Sequence, residues 1–64
     1  MKFNRHKLKQ LRVKHNLTQQ QLGELLGYKN NSICQIENGK RNMSLEKMVA
    51  LAELFNLSID ELFK

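Results

Sequence analysis

The sequence predicts an all-α domain of five short helices, the second and third joined by a tight glycine turn. Three observations carry that prediction. Apolar residues recur three or four positions apart, as in Leu8/Leu11, Leu22/Leu26, Ile33/Ile36 and Leu45/Met48/Leu51/Ala52/Phe55. That is the period of one helix face, not of a strand. Residues that start and stop helices bracket these runs: Thr18, Ser44 and Ser58 open them, while Asn16, Gly27 and Gly39 close them. Pro is absent and Gly occurs only three times, too few for a loop-rich or all-β chain.

The first helix covers Phe3–His15, with Leu8 and Leu11 on one face and Phe3 extending the stripe. Asn16 ends it, because Asn tolerates the left-handed conformation of a helix terminus. Thr18-Gln19-Gln20-Gln21 has the pattern of a capping box, and Leu17 with Leu22 that of a hydrophobic staple. Leu22, Leu25 and Leu26 form the expected buried face of the second helix. Gly23 lowers its helix propensity by roughly 1 kcal/mol relative to Ala but lets a neighbouring helix approach. Gly27 ends this helix, and the third is expected over Asn30–Asn38, with Ile33 and Ile36 facing inward and Gly39 closing it. Lys40, Arg41 and Asn42 make a basic loop. Ser44 caps the fourth helix, with Glu46 near its positive end. A second capping box, Ser58-Ile59-Asp60-Glu61, opens a last short helix ending at Leu62 and Phe63.

Sixty-four residues make one domain, assigned to 1–64, with a core small enough that dimerisation would help it. Charge is unevenly spread. Residues 1–41 hold nine Lys/Arg against two acids, whereas 42–64 hold two Lys against four acids. A basic front on a mildly acidic back suits a module that lays one face on a polyanion. No apolar run approaches the roughly 20 residues that span a bilayer, and no apolar region follows the basic start, so neither membrane nor secretory sorting is expected. The lone Cys34 fits a reducing compartment, and a cytoplasmic location is expected.

The ordered residues Leu11-Arg12, Leu17-Thr18-Gln19, Gln21-Leu22, Leu26-Gly27, Ile33, Ile36-Glu37-Asn38-Gly39-Lys40, Ser44-Leu45-Glu46 and Leu57-Ser58 resemble the Cro/repressor-type helix-turn-helix family of bacterial and phage regulators. The resemblance runs from about Leu8 to Leu62 and implies a compact five-helix, lambda-repressor-like domain. Its helix-turn-helix would occupy Thr18–Gly39, with the third helix in the major groove of double-stranded DNA. Two positions depart from the family. Lys29 stands where Ser or Thr usually caps the recognition helix, so either Asn30 caps instead or Lys29 trades capping for a phosphate contact. Gly23 stands where Ala is usual.

On this reading Lys29, Asn30, Asn31, Cys34 and Gln35 are the candidate base-contacting residues. Amides pair bidentately with adenine N6/N7, so at least one A·T pair is expected in each half-site. Asn30 doubles as a cap candidate. The candidate phosphate contacts are Gln19, which matches the family's phosphate-binding glutamine, with Ser32, Asn38, Lys40 and Arg41. The resemblance also implies a salt bridge between Arg12 and Glu37, both placed at the edge of the core.

Leu54, Ile59 and Phe63 are either a homodimer interface or the completion of the monomer core. A palindromic operator and a repressor's role are expected. The competing reading is an antitoxin-like or anti-repressor module acting through protein contacts, for which an Ile59/Phe63 patch would serve. No paired carboxylates, activated nucleophile or phosphate-cradling glycine loop suggest an enzyme. His6 and His15 have no ligand partners at metal spacing, so no metal, cofactor or small-molecule ligand is expected.

Overall fold

Among the described residues, side-chain oxygens hold the first free amides of three helices, and left-handed residues close the ends of all four α-helices. The computed structural model describes residues 2–29 and 31–64. Among these, α1 spans Arg5–Lys14, α2 Gln19–Leu26, α3 Ser32–Glu37 and α4 Leu45–Leu54, followed by a 3₁₀ helix, Ile59–Phe63. Asn4 caps α1 by accepting from the amides of His6 and Lys7, which trims the expected start at Phe3. Thr18 and Gln21 form the full reciprocal capping box on α2, and the Ser44 side chain accepts from the Lys47 amide.

One device ends every α-helix. Asn16, Gly27, Gly39 and Asn56 all have positive φ, between 56° and 80°. Each is followed by an amide that reaches back five residues: Leu17 to the Arg12 carbonyl, Tyr28 to Gly23, Lys40 to Gln35 and Leu57 to Ala52, at 2.8–3.0 Å. This is the Schellman arrangement, and it satisfies carbonyls the helix itself leaves open.

Beyond the bounds of α1, the structure corrects the expected elements in four places. The fifth helix is a five-residue 3₁₀ segment, and the Ser58 side chain makes no cap bond there, so the second capping box does not form. Too short for α-helical propagation, this segment settles for i to i+3 bonding, as in Glu61 N–H to Ser58 O. The third helix is shorter than Asn30–Asn38, and Asn30 itself lies outside the described residues. Leu25 is 56 % exposed, because the inward line of α2 is Leu22, Gly23 and Leu26 and Leu25 lies to one side of it. Leu45 is 66 % exposed. As the first residue of α4 its side chain leans towards the N-terminus, past the end of the packed face.

The core is formed by Leu8 and Leu11 from α1, Leu22 and Leu26 from α2, Ile33 and Ile36 from α3, Leu51 and Ala52 from α4, and Leu62. Met43, in the loop before α4, is also buried; no periodicity pointed to it. The chain ends are tied together by Asn4 N–H donating to Leu62 O at 2.8 Å. Leu17 and Phe55 pack against the core's edge, and the His15 ring stacks on Phe55 with centroids 4.3 Å apart.

Gly23 is buried at the α2–α3 contact, and a Cβ added there would meet Ile33 Cγ1 at 3.4 Å and Tyr28 Cβ at 3.8 Å. Those are ordinary van der Waals distances, so the methyl fits. Gly23→Ala is therefore expected to stabilise the fold by up to about 1 kcal/mol through helix propensity. Thermal unfolding should show a midpoint several degrees higher, and a lowered midpoint would mean that the helix contact has no room to give.

Candidate nucleic-acid interface

The short helix α3 divides its residues sharply. Ser32, Ile33, Ile36 and Glu37 are buried, while Asn31, Gln35 and Asn38 are exposed and Cys34 is half-buried. Asn31, Gln35 and Asn38 are spaced four and three apart, which puts three amides on one outward stripe. Lys29 is exposed just before the helix. Cys34 faces a groove between α2 and α3 whose walls include Gln19, Gln20, Glu24, Lys29 and Asn31. Its thiol accepts a 3.4 Å hydrogen bond from Asn38 Nδ2, a contact within the helix.

Glu37 organises the base of this surface. Arg12 donates to its carboxylate twice, Nε to Oε2 at 2.7 Å and Nη2 to Oε1 at 3.2 Å. Arg12 Nη1 also donates to Leu17 O at 2.9 Å, in the turn that leads into α2. Gln19 Nε2 donates to Glu37 Oε1 at 3.0 Å. One carboxylate thereby joins the end of α1, the first residue of α2 and the last residue of α3. The pair is nearly dry, with side-chain exposures of 14 % for Arg12 and 4 % for Glu37. The salt bridge implied by the family resemblance is present, and it holds one N–H of the Gln19 amide, leaving its other donor and its oxygen for a ligand.

Besides Gln19, the expected phosphate contacts fall into two groups. Lys40, Arg41 and Asn38 are exposed around the loop that follows α3. Ser32 is buried, its hydroxyl donating to Lys29 O at 2.7 Å and accepting from Arg41 Nη1 at 2.6 Å. Its hydroxyl therefore fixes Arg41 and the turn at Lys29, and Ser32 is placed to act through them. The N-cap position of α3 is Asn31, whose side chain makes no cap bond, so among the described residues no side-chain acceptor holds the first amides of α3; the Ser32 bond ties the Lys29 carbonyl instead. Arg41 lies 5.0 Å from the centre of the Tyr28 ring, and Lys47 lies 5.2 Å from it. Burial pushes the Tyr28 phenol above its ordinary range, against the opposing pull of Arg41 and the Ser44 backbone.

Two long side chains with no assigned role act as helix caps. Lys47 Nζ donates to Leu26 O at 2.6 Å, at the end of α2. Arg5 Nη1 donates to Glu37 O at 2.7 Å, at the end of α3. Both bonds span more than twenty residues, so no local pattern announces them. Of the apolar trio considered for a dimer face, Leu54 is 40 % exposed, whereas Ile59 and Phe63 pack partly buried against the core. Among the described residues no group of His, Cys, Asp and Glu could hold a metal ion, and no helix is long and apolar enough to cross a membrane.

Comparison with known proteins agrees with this geometry. The family model described as helix-turn-helix matches residues 8–62. An HTH-type transcriptional regulator of Methanocaldococcus jannaschii is 39 % identical over 59 residues, covering 92 % of this chain and 89 % of the relative. The HTH-type transcriptional activator BcrR of Enterococcus faecalis is 42 % identical over 62 residues, which is 97 % of this chain but 30 % of that longer protein. The crystal structure of a transcriptional regulator from Listeria innocua superposes with a TM-score of 0.87 at 32 % identity, over 97 % of this chain and 59 % of that one.

Proposed function

This chain belongs to the Cro/repressor-type helix-turn-helix family of transcriptional regulators, and from that premise we propose a sequence-specific regulator that lays α3 in the major groove of a palindromic operator. The observation that carries the proposal is the outward amide stripe of α3 on a buried, charge-fixed base. Amides at Asn31 and Gln35 match the donor and acceptor pattern of adenine. Lys29, Lys40 and Arg41 flank that stripe with charge for the phosphates, and Gln19 is oriented at the start of α2. Lys29, Cys34 and Asn30 complete the proposed reading set, Lys29 placed for a base edge or a phosphate and Asn30 standing on its sequence position alone. Repression by occupancy of a promoter is the regulatory output, with two protomers on two half-sites about one helical turn apart.

The protein-interaction alternative asks for a broad Ile59/Phe63 surface, whereas both side chains are partly buried against the core and expose only part of their area. Selection of bound sequences from random duplexes tests the proposal directly. The selected half-site should contain an A·T pair whose substitution weakens binding. Gln35→Ala should cost about 1–3 kcal/mol of affinity and relax the preference at one position. Enrichment of no sequence, or equal binding after every A·T pair is scrambled, would refute amide readout.

A further inference from the structure

Beside the loop that follows α3 lies a recess that shares only Arg41 with the proposed helix-turn-helix footprint. Its rim carries Lys2, Arg5 and Arg41, and its floor includes Phe3, Met43 and Phe63. None of the described residues that line it is acidic. Arg41 is drawn to the Ser32 end of α3, so Lys2 and Arg5 are the two cations left at the Glu37 end, with no carboxylate among the described lining residues to offset them; an anion there would be attracted by both.

The cations are placed by the fold. Phe3 packs against the core and the Asn4 amide is bonded to Leu62 O, so Lys2 adjoins a fixed piece of backbone. Arg5 holds the terminal carbonyl of α3 with one nitrogen. Its Nε would lie 3.2 Å from a Cβ at Gly39, so the guanidinium packs closely over that glycine. Arg41 is held by Ser32 Oγ. Each arginine therefore bonds to one end of α3 with a single nitrogen and keeps further N–H donors of its planar fork.

We propose that this recess is a second backbone anchor, in which Lys2 and Arg5 hold a duplex phosphate flanking the half-site, and the apolar floor takes the adjoining sugar. A duplex is favoured over a free anion because both arginines are bonded to α3, and Arg41 belongs to the recess and to the phosphate-facing loop alike. A phosphate held here is registered to the reading helix. The inference rests on the DNA-binding function proposed for α3 and extends its footprint to α1.

The test compares the full chain with Lys2→Ala, Lys2→Arg and Arg5→Ala on the selected half-site. One duplex carries flanking base pairs and the other is trimmed at the half-site's outer edge. On the extended duplex Lys2→Ala should bind several-fold more weakly at low salt, with the slope of log K against log salt shallower by about 0.9 per protomer. Lys2→Arg should behave as the parent. On the trimmed duplex the parent and Lys2→Ala should converge. Arg5→Ala should track Lys2→Ala, its unfolding curve recording separately the lost bond to Glu37. Unchanged slopes for both alanine variants, or an equal loss on both duplexes, overturn the anchor while leaving the DNA-binding reading intact. Inorganic phosphate that shifts the Gly39 and Asn42 amide resonances when the duplex does not would make this a free-anion site and also overturn it. A parent chain that binds no duplex removes the premise itself.

Discussion

Arg12→Ala should remove a large share of the protein's stability, about 3–5 kcal/mol, through the fold and not through a DNA contact. Its guanidinium makes two bonds to Glu37 and one to Leu17 O. Without it, a carboxylate whose side chain is 4 % exposed keeps one Gln19 amide as its side-chain partner. Removing one member of a buried pair costs about 3–5 kcal/mol, because the survivor stays desolvated. A chain of this size is stabilised by only about 3–10 kcal/mol in total. At roughly 4–8 °C per kcal/mol, the midpoint should fall by about 12–40 °C. The double variant Arg12→Met/Glu37→Leu separates charge from packing. Replacing the whole pair by apolar side chains removes the stranded charge and should recover most of the lost stability. It also frees Gln19 from its anchor, so DNA affinity should remain reduced when the fold returns. A single variant that melts within about 2 °C of the parent would contradict this account of the pair.

The helix ends were the most legible part of the sequence, because capping is local chemistry. Thr18 with Gln21, and Asn16, Gly27 and Gly39, could each be assigned from a few neighbouring residues, and the structure shows the same hydrogen bonds and left-handed angles. Ser58-x-x-Glu61 has the same spelling as Thr18-x-x-Gln21, yet it forms no box. The difference lies in the length of chain beyond the cap: α2 continues for eight residues onto a packed face, whereas the last segment runs five. Leu25 and Leu45 fit helical spacing but lie outside, since periodicity marks a stripe without fixing its width. The candidate site divides the same way. The outward stripe of α3 could be read from spacing, and the Arg12–Glu37 pair from the family resemblance. The caps made by Arg5 and Lys47 could not, because flexible side chains reaching across 32 and 21 residues leave no trace in local order. Ser32 shows the remaining gap. A hydroxyl beside a recognition helix suits a phosphate, but only the packed structure shows it bonded to Arg41 and Lys29.

Operator binding should depend on salt more steeply than on any single side chain. The proposed interface has Lys29, Lys40 and Arg41 around α3, and the recess adds Lys2 and Arg5. Acids are few on that side, Glu24 at the groove wall being one and the buried Glu37 already neutralised by Arg12. If each protomer neutralises about four phosphates, two protomers release counterions from about eight, and log K should fall with log salt at a slope near −7. Raising salt about fourfold, from roughly 50 to 200 mM, should then weaken binding about 10⁴-fold. Slope and stoichiometry together also count protomers. One protomer on a lone half-site should give about half that slope, roughly −3.6, so comparing a palindrome with a single half-site tests the proposed pairing without assuming which surface mediates it. Gln35→Ala should lower affinity on both while leaving the slope unchanged, since an amide that reads a base displaces no counterion. Lys40→Ala should do the opposite, taking about 0.9 per protomer from the slope with sequence preference intact. A slope shallower than about −2 on the palindrome would mean that the basic face is not held against the phosphates, and would sink the proposed docking geometry.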